Sequence, residues 1–179
     1  KYTARSIQAA AEFGAGVVVL HLGRVPIETI KSELFRFYDE KKIGSLEYTE
    51  FMRESKKLRS KAKKKSFDYL LMSLEKVLHE ADRYDITLGI ENRYYFIEYP
   101  DFDEIDYIFE KFKGGRLGYW HDVGHAKVNE NLGIIGSEMY LKAYGHKLLG
   151  VHLHDVKGYT DHFAPGCGEL NFDTIAKYL

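Results

Sequence analysis

Ile86-Thr87-Leu88-Gly89-Ile90-Glu91 is the stretch whose reading decides the fold. It is almost wholly apolar, has no alternating polar face, and ends in a carboxylate. A short run apolar on both sides marks a strand covered on both faces, as in a parallel sheet between helices. Upstream, from about Ser66, the residues Phe67, Leu70, Leu71, Leu74, Val77, Leu78 and Ala81 share one helical face. Downstream, Pro100 to Lys113 repeats that pattern with Phe102, Ile105, Ile108, Phe109 and Phe112, and Gly114-Gly115 stops it.

The rhythm continues outward in both directions. Arg116 to Trp120 reads as a strand ending at His121-Asp122. Gly136 to Leu148 reads as helix, Leu149 to Leu153 as a strand ending in His154-Asp155, and Phe172, Ile175, Ala176 and Leu179 begin another helix. Toward the start, Ser6 to Phe13 is the end of a helix stopped by Gly14 and Gly16. Val17 to Leu20 is then a strand ending in His21 and Gly23. Residues 28 to 60 carry two apolar clusters, Phe35-Phe37-Tyr38 and Leu46-Tyr48-Phe51, and read as a long excursion with some helix. Strands alternating with helices predict an α/β fold with a parallel sheet and right-handed crossovers. The strands are expected near 17–22, 86–91, 116–121 and 148–154, with their carboxyl ends on one face.

The chain of 179 residues is long enough for one domain with a real core, and no linker or low-complexity segment divides it. A net charge of -1 gives no global pull toward nucleic acid or an anionic membrane. The single cysteine, Cys167, excludes an internal disulfide and fits a reducing, cytoplasmic setting. It sits in a Pro-Gly-Cys-Gly turn with no base beside it, as a small turn residue and not a nucleophile. No apolar run approaches the roughly 18 residues a membrane span needs. No signal peptide opens the chain, which starts at Lys1 and is expected to begin inside a larger protein.

Each strand ends in groups able to bind metal: His21 on the first, Glu91 on the second, Asp122 with His125 on the third, and His152 with His154 and Asp155 on the fourth. Carboxyl ends of parallel strands are where α/β sites are built. A carboxylate there is costly unless paired or bound to metal, and four successive ends of this kind point to a metal. Mixed oxygen and imidazole donors suit Zn, Mn, Fe or Co better than Ca. His152 and His154 lie two apart on a strand and face one side, so spacing does not choose between them.

The strings GIEN (89–92), HDVGHA (121–126), HLHDVKG (152–158) and DHFAPGCGELNF (161–172) resemble the xylose isomerase-like TIM-barrel superfamily. That group holds sugar phosphate isomerases and epimerases and also the endonuclease IV family of apurinic-site nucleases (AP endonuclease family 2). The resemblance implies a (β/α)8 barrel and one divalent metal, Zn, Mn, Co or Mg, held by Glu91, Asp122 and His152. A second Glu would come from the last strand, beyond Leu179. Glu91 would be ligand and acid/base, and His125 would hold a substrate oxygen or, in the nuclease pattern, a metal. His21 and His162 match two further zinc-binding histidines of the nucleases. A barrel of this class has eight strands and typically about 250 residues. The four strands legible here make residues 1–179 the middle portion of such a domain, expected to be incomplete at both ends.

Two enzyme readings follow. An isomerase or epimerase would polarise a sugar carbonyl and hydroxyl on the metal and move a proton with carboxylates. Arg93, Tyr94, Tyr95 and Glu98 would line its pocket, Arg93 and Glu98 otherwise being a solvated pair. His154 would be a second contact behind His152, and Asp155 and His162 would be substrate or additional-metal groups. The partner would be a small sugar, with self-association into a homo-oligomer open and no membrane role. The alternative, an endonuclease IV-like enzyme with several zinc ions, would take nucleic acid. It wants an Asp two residues before the last His, where Thr160 stands with Asp161 adjacent. Lys56, Lys57, Arg59, Lys61, Lys63, Lys64 and Lys65 form a basic run, read as a solvated helix face. One metal per chain is the expectation, and a binding protein that kept the fold and lost activity is the third class.

Overall fold

The computed structural model describes residues 2–178; the part of the last helix expected at Leu179 lies outside them. The element order is α1 (Tyr2–Glu12), β1 (Val17–Leu20), α2 (Lys31–Asp39), α3 (Leu46–Arg83), β2 (Thr87–Glu91), α4 (Phe102–Lys111), β3 (Leu117–Asp122), α5 (Val123–Asn131), α6 (Ser137–Tyr144), β4 (Leu148–His152), β5 (Asp155–Lys157), β6 (Thr160–Phe163) and α7 (Phe172–Ala176). β1 to β4 form one sheet in chain order, every neighbouring pair parallel. All four expected strands are present, and their carboxyl ends share one side. Among the described residues β1 and β4 each pair on one side only.

The two faces of the sheet differ. Leu88, Ile90 and Tyr119 point into the helical layer with Ile105, Ile108, Tyr140 and Tyr144, all buried. Burying one such aliphatic side chain is worth roughly 1.5–3 kcal/mol, so this layer holds the strands. Gly89, Glu91, Trp120, Asp122, Gly150 and His152 share the opposite face by strand alternation. Trp120 lies across that face, and a Cβ on Gly150 would meet its Cη2 at 2.6 Å.

β4 contains a bulge. Tyr119 pairs with Leu148, but Trp120 pairs with Gly150, so Leu149 is one extra residue. A one-residue slip turns every later side chain to the other face. The bulge therefore decides that His152 stands opposite Asp122 on the same face.

The region 28–60 and the basic run read differently in the structure. α3 is a single helix of 38 residues, capped by Ser45, which accepts from the Tyr48 N–H at 3.1 Å. Its first half buries Tyr48, Met52, Ser55 and Arg59, a continuous helical face. Two polar members of that face conceal the period from a hydrophobic reading. The basic run is a solvated face only in part, because Arg59 is 4% exposed. The short helix α5 and the antiparallel β5–β6 hairpin were not anticipated.

Candidate metal centre

Glu91 and Asp122 end β2 and β3, and both are buried, at 1% and 2% exposure. His152, at the end of β4, brings Nδ1 to 2.6 Å from Glu91 Oε1 and 3.4 Å from Asp122 Oδ2. One ligand atom from each of the three lies within 4.8 Å of the others. Donors about 2.0–2.3 Å from one ion can converge from such spacings with small side-chain shifts. Two carboxylates and an imidazole are also a chemically suitable set for Zn, Mn, Fe or Co. On both counts these residues fit a divalent ion.

Glu91 is further held by His21, whose Nε2 is 2.9 Å from Oε2, and by Arg93, whose Nη1 donates to the same oxygen. Arg93 also pairs with Glu98 at 3.1 Å. The pair is mostly buried, at 9% and 19% side-chain exposure, and lines the cleft instead of forming the solvated alternative. Asp122 is also the N-cap of α5, accepting the His125 N–H at 2.8 Å. Burial pushes its carboxyl pKa up, but the His154 hydrogen bond, His125 and the helix N–H outweigh that and hold it below the usual range.

His154 lies just past the end of β4, yet its ring, like that of His152, meets the Asp122 carboxylate. The His162 N–H donates to its Nδ1 at 3.0 Å, so its proton sits on Nε2, which donates to Asp122 Oδ1 at 2.9 Å. The Asp122 bond raises the His154 pKa, but a proton on Nδ1 would oppose the His162 N–H. Both ring nitrogens are engaged, and His154 braces the Asp122 carboxylate from behind. Gly124 makes this approach possible, because a Cβ there would land inside the His154 ring.

His125 shows the complementary arrangement. Its Nδ1–H donates to the Asn92 carbonyl at 3.0 Å, and its Nε2 lies 3.7 Å from Asp161 Oδ2. His162, at φ 66°, stacks on His154 with centroids 4.3 Å apart, and its Nδ1 lies 3.0 Å from Asp161. His154, Asp161 and His162 thus form a second acid–imidazole group by proximity. Arg93, His125, Asp161 and His162 line a cleft of about 390 Å³, whose wall includes Phe35 and Tyr159, stacked at 3.8 Å.

Asp155, expected among substrate or additional-metal groups, is placed elsewhere. It is 1% exposed and accepts the N–H groups of Val156, Gly166, Gly168 and Leu170 at 2.8–3.0 Å. Desolvation raises its pKa, and these four donors bring it below the usual range. It anchors the 164–170 loop that carries Cys167. Two residues of the site escaped the sequence reading. Asn92, fully buried, binds the Asp122 backbone twice, accepting its N–H at 2.8 Å and donating to its carbonyl at 2.9 Å, and so locks β2 to β3 beside Glu91 and Asp122. Its signal was a polar residue directly following a buried strand. Asp161 was passed over because it stands one position off the nuclease pattern.

A parallel βα sheet with an acid–imidazole cluster at its strand ends defines an α/β protein with a candidate site at the carboxyl face. The xylose isomerase-like TIM barrel family matches the chain over residues 1–179, and the chain belongs to that family. Among solved structures it is similar to a D-tagatose 3-epimerase-like protein, with 24% identity, TM-score 0.61, and coverage of 98% of this chain and 55% of that one. It is similar to a xylose isomerase domain protein from Planctomyces limnophilus, with 14% identity, TM-score 0.61, and coverage of 99% and 52%. It is also similar to an IolI protein crystallised with a zinc atom, with 16% identity, TM-score 0.57, and coverage of 99% and 54%. At these identities the likeness establishes the fold. The chain spans about half the length of these structures. No curated protein matches it. No helix among the described residues is long and apolar enough to cross a membrane.

Proposed function

We propose that this protein is a divalent-metal-dependent sugar, or sugar phosphate, isomerase or epimerase. The observation that carries the reading is the convergence of Glu91, Asp122 and His152 beside a cleft that His125 also lines. When bound, the metal supplies polarisation of a carbonyl and a neighbouring hydroxyl. Glu91 moves the proton at the adjacent carbon, and Arg93 and His21 keep its carboxylate oriented. His125 Nε2 holds a substrate oxygen, and the Phe35–Tyr159 stack shields one side of the cleft from water. A small sugar is the partner in this reading. Self-association and a cytoplasmic location go with it as proposals.

The test is solvent-deuterium incorporation into a panel of ketoses and ketose phosphates by the full-length protein, with Mn, Co, Zn or Mg and with a chelator control. Metal-dependent incorporation lost in Glu91→Gln is the expected result. No incorporation with any metal, or incorporation unchanged in Glu91→Gln, overturns the reading.

The second group favours the multi-zinc nuclease in one respect, since His125, Asp161 and His162 stand together. Against it, Thr160 stands where the pattern wants an acid. A net charge of -1 also gives little help toward phosphate backbones.

A further inference from the structure

The loop between β2 and α4, residues 92–101, carries Arg93, Tyr94, Tyr95 and Glu98 to the cleft with almost no regular structure of its own. Part of what holds it comes from α3, through Arg59. The Arg59 Nε–H donates to the Phe96 carbonyl at 2.9 Å. One Nη2–H donates to the Glu98 carbonyl at 2.9 Å. The other three N–H groups go to Glu104 at 2.7 and 2.8 Å and to Asp101 at 2.5 Å. A guanidinium has five donors in a rigid fork, and each finds an acceptor. Asp101 and Glu104 are in turn the capping box of α4. One buried side chain thus ties α3, the loop and the start of α4 together.

We infer that Arg59 is a positioning residue for the centre, acting on Glu91 through the loop and Arg93. The path is continuous. Arg59 fixes the Glu98 backbone, the Glu98 carboxylate takes Arg93 Nη2 at 3.1 Å, and Arg93 Nη1 donates to Glu91 Oε2. The Oε1 of Glu91 is the oxygen turned to His152, so Arg93 sets which oxygen faces the centre. Backbone bonds from Val25 to Ile97 and from Tyr99 to Gly23 hold the neighbouring residues at 2.8 and 2.9 Å. They leave the carbonyls on either side of Ile97 to Arg59. Lysine keeps the charge but cannot span two carbonyls and two carboxylates from one nitrogen.

The consequence for metal rests on the proposed centre, and the experiment keeps the two apart. Arg59→Lys, Arg93→Met and the double variant are made in the full-length protein. Hydrogen exchange is followed for 93–99 against the strands 87–91 and 117–122, and Mn²⁺ binding is titrated. Arg59→Lys should raise exchange in 93–99 at least 10-fold and leave the strands unchanged. Its Mn²⁺ dissociation constant should rise about 10-fold, the low end for losing support behind a ligand. Arg93→Met should weaken Mn²⁺ similarly, and adding Arg59→Lys to it should weaken it no further. Should Arg59→Lys fail to fold, Glu98→Ala cuts the same path and must reproduce the Mn²⁺ effect. Unchanged exchange in 93–99, additive weakening in the double variant, or full Mn²⁺ affinity in Glu98→Ala overturns the inference. If wild type binds no Mn²⁺, the metal reading fails, and the exchange result alone decides whether Arg59 holds the loop.

Discussion

The two acid–imidazole groups near the strand ends contain similar residues and differ in what those residues are free to do. In the group at the ends of β2, β3 and β4, Glu91, Asp122 and His152 turn donor atoms toward one another. In the group on and before the β5–β6 hairpin, His154 already accepts from a backbone N–H and donates to Asp122. His162 is mostly exposed and stacks on His154. Proximity selects both groups. The hydrogen bonds separate them, and in the proposed reading the first is the ligand set and the second its support.

The comparison breaks most visibly at the ligands. Glu91→Gln or Asp122→Asn should weaken Mn²⁺ or Zn²⁺ by more than about 100-fold in equilibrium titrations, because losing a supporting partner alone costs about 10–100-fold. An affinity within a few-fold of wild type would remove that carboxylate from the set. His152→Ala should fall in the same range, whereas His154→Ala should cost only about 10-fold. Gly124→Ala, which pushes the His154 ring away from Asp122, should match His154→Ala. The reverse order of the two histidines would exchange the roles given to them.

A second comparison is between Asp122 and Asp155, both buried carboxylates near the fourth strand. Asp155→Asn should cost on the order of 2 kcal/mol of stability, through lost charge-assisted bonds to the 164–170 loop. It should leave metal affinity unchanged. The Asp155 pKa is held down in the folded state, so its contribution is complete above the unfolded carboxylate value of about 3.9. It is lost as pH falls below that value. Loop protection measured by hydrogen exchange should therefore decline on acidification in wild type and change less in Asp155→Asn. A large loss of metal with no loss of stability would put Asp155 in the site.

Most of the sheet was legible because its strands are buried on both faces and read as unbroken apolar runs, as at Ile86–Ile90. The first half of α3 was not, since Ser55 and Arg59 occupy its buried face and break the apolar period. α5 is short, and its cap is Asp122, so its start reads as a motif and not as a helix. The β5–β6 hairpin lacks apolar alternation, with Thr160, Asp161 and His162 in sequence. In the site, Glu91, Asp122 and His152 stood out as polar ends of apolar strands. That His152 stands opposite Asp122 depended on the bulge at Leu149, which adjacent residues do not announce, and a spacing of two does not choose between His152 and His154. Asn92 and Arg59 act by hydrogen bonds to distant backbone, a role that residue type alone does not reveal.

The smallest expected effect lies in the outer histidines. His21→Ala and His162→Ala should each leave metal stoichiometry unchanged and alter affinity by less than the His154 change. The metal count itself tests the central claim most directly. Elemental analysis of the full-length protein, loaded with Zn²⁺ or Mn²⁺ and freed of loosely bound ion, should give one metal per chain, lost in Glu91→Gln and kept in His162→Ala. Two or three tightly held metals per chain, one of them lost in His162→Ala, would make the hairpin group a metal site and contradict the account.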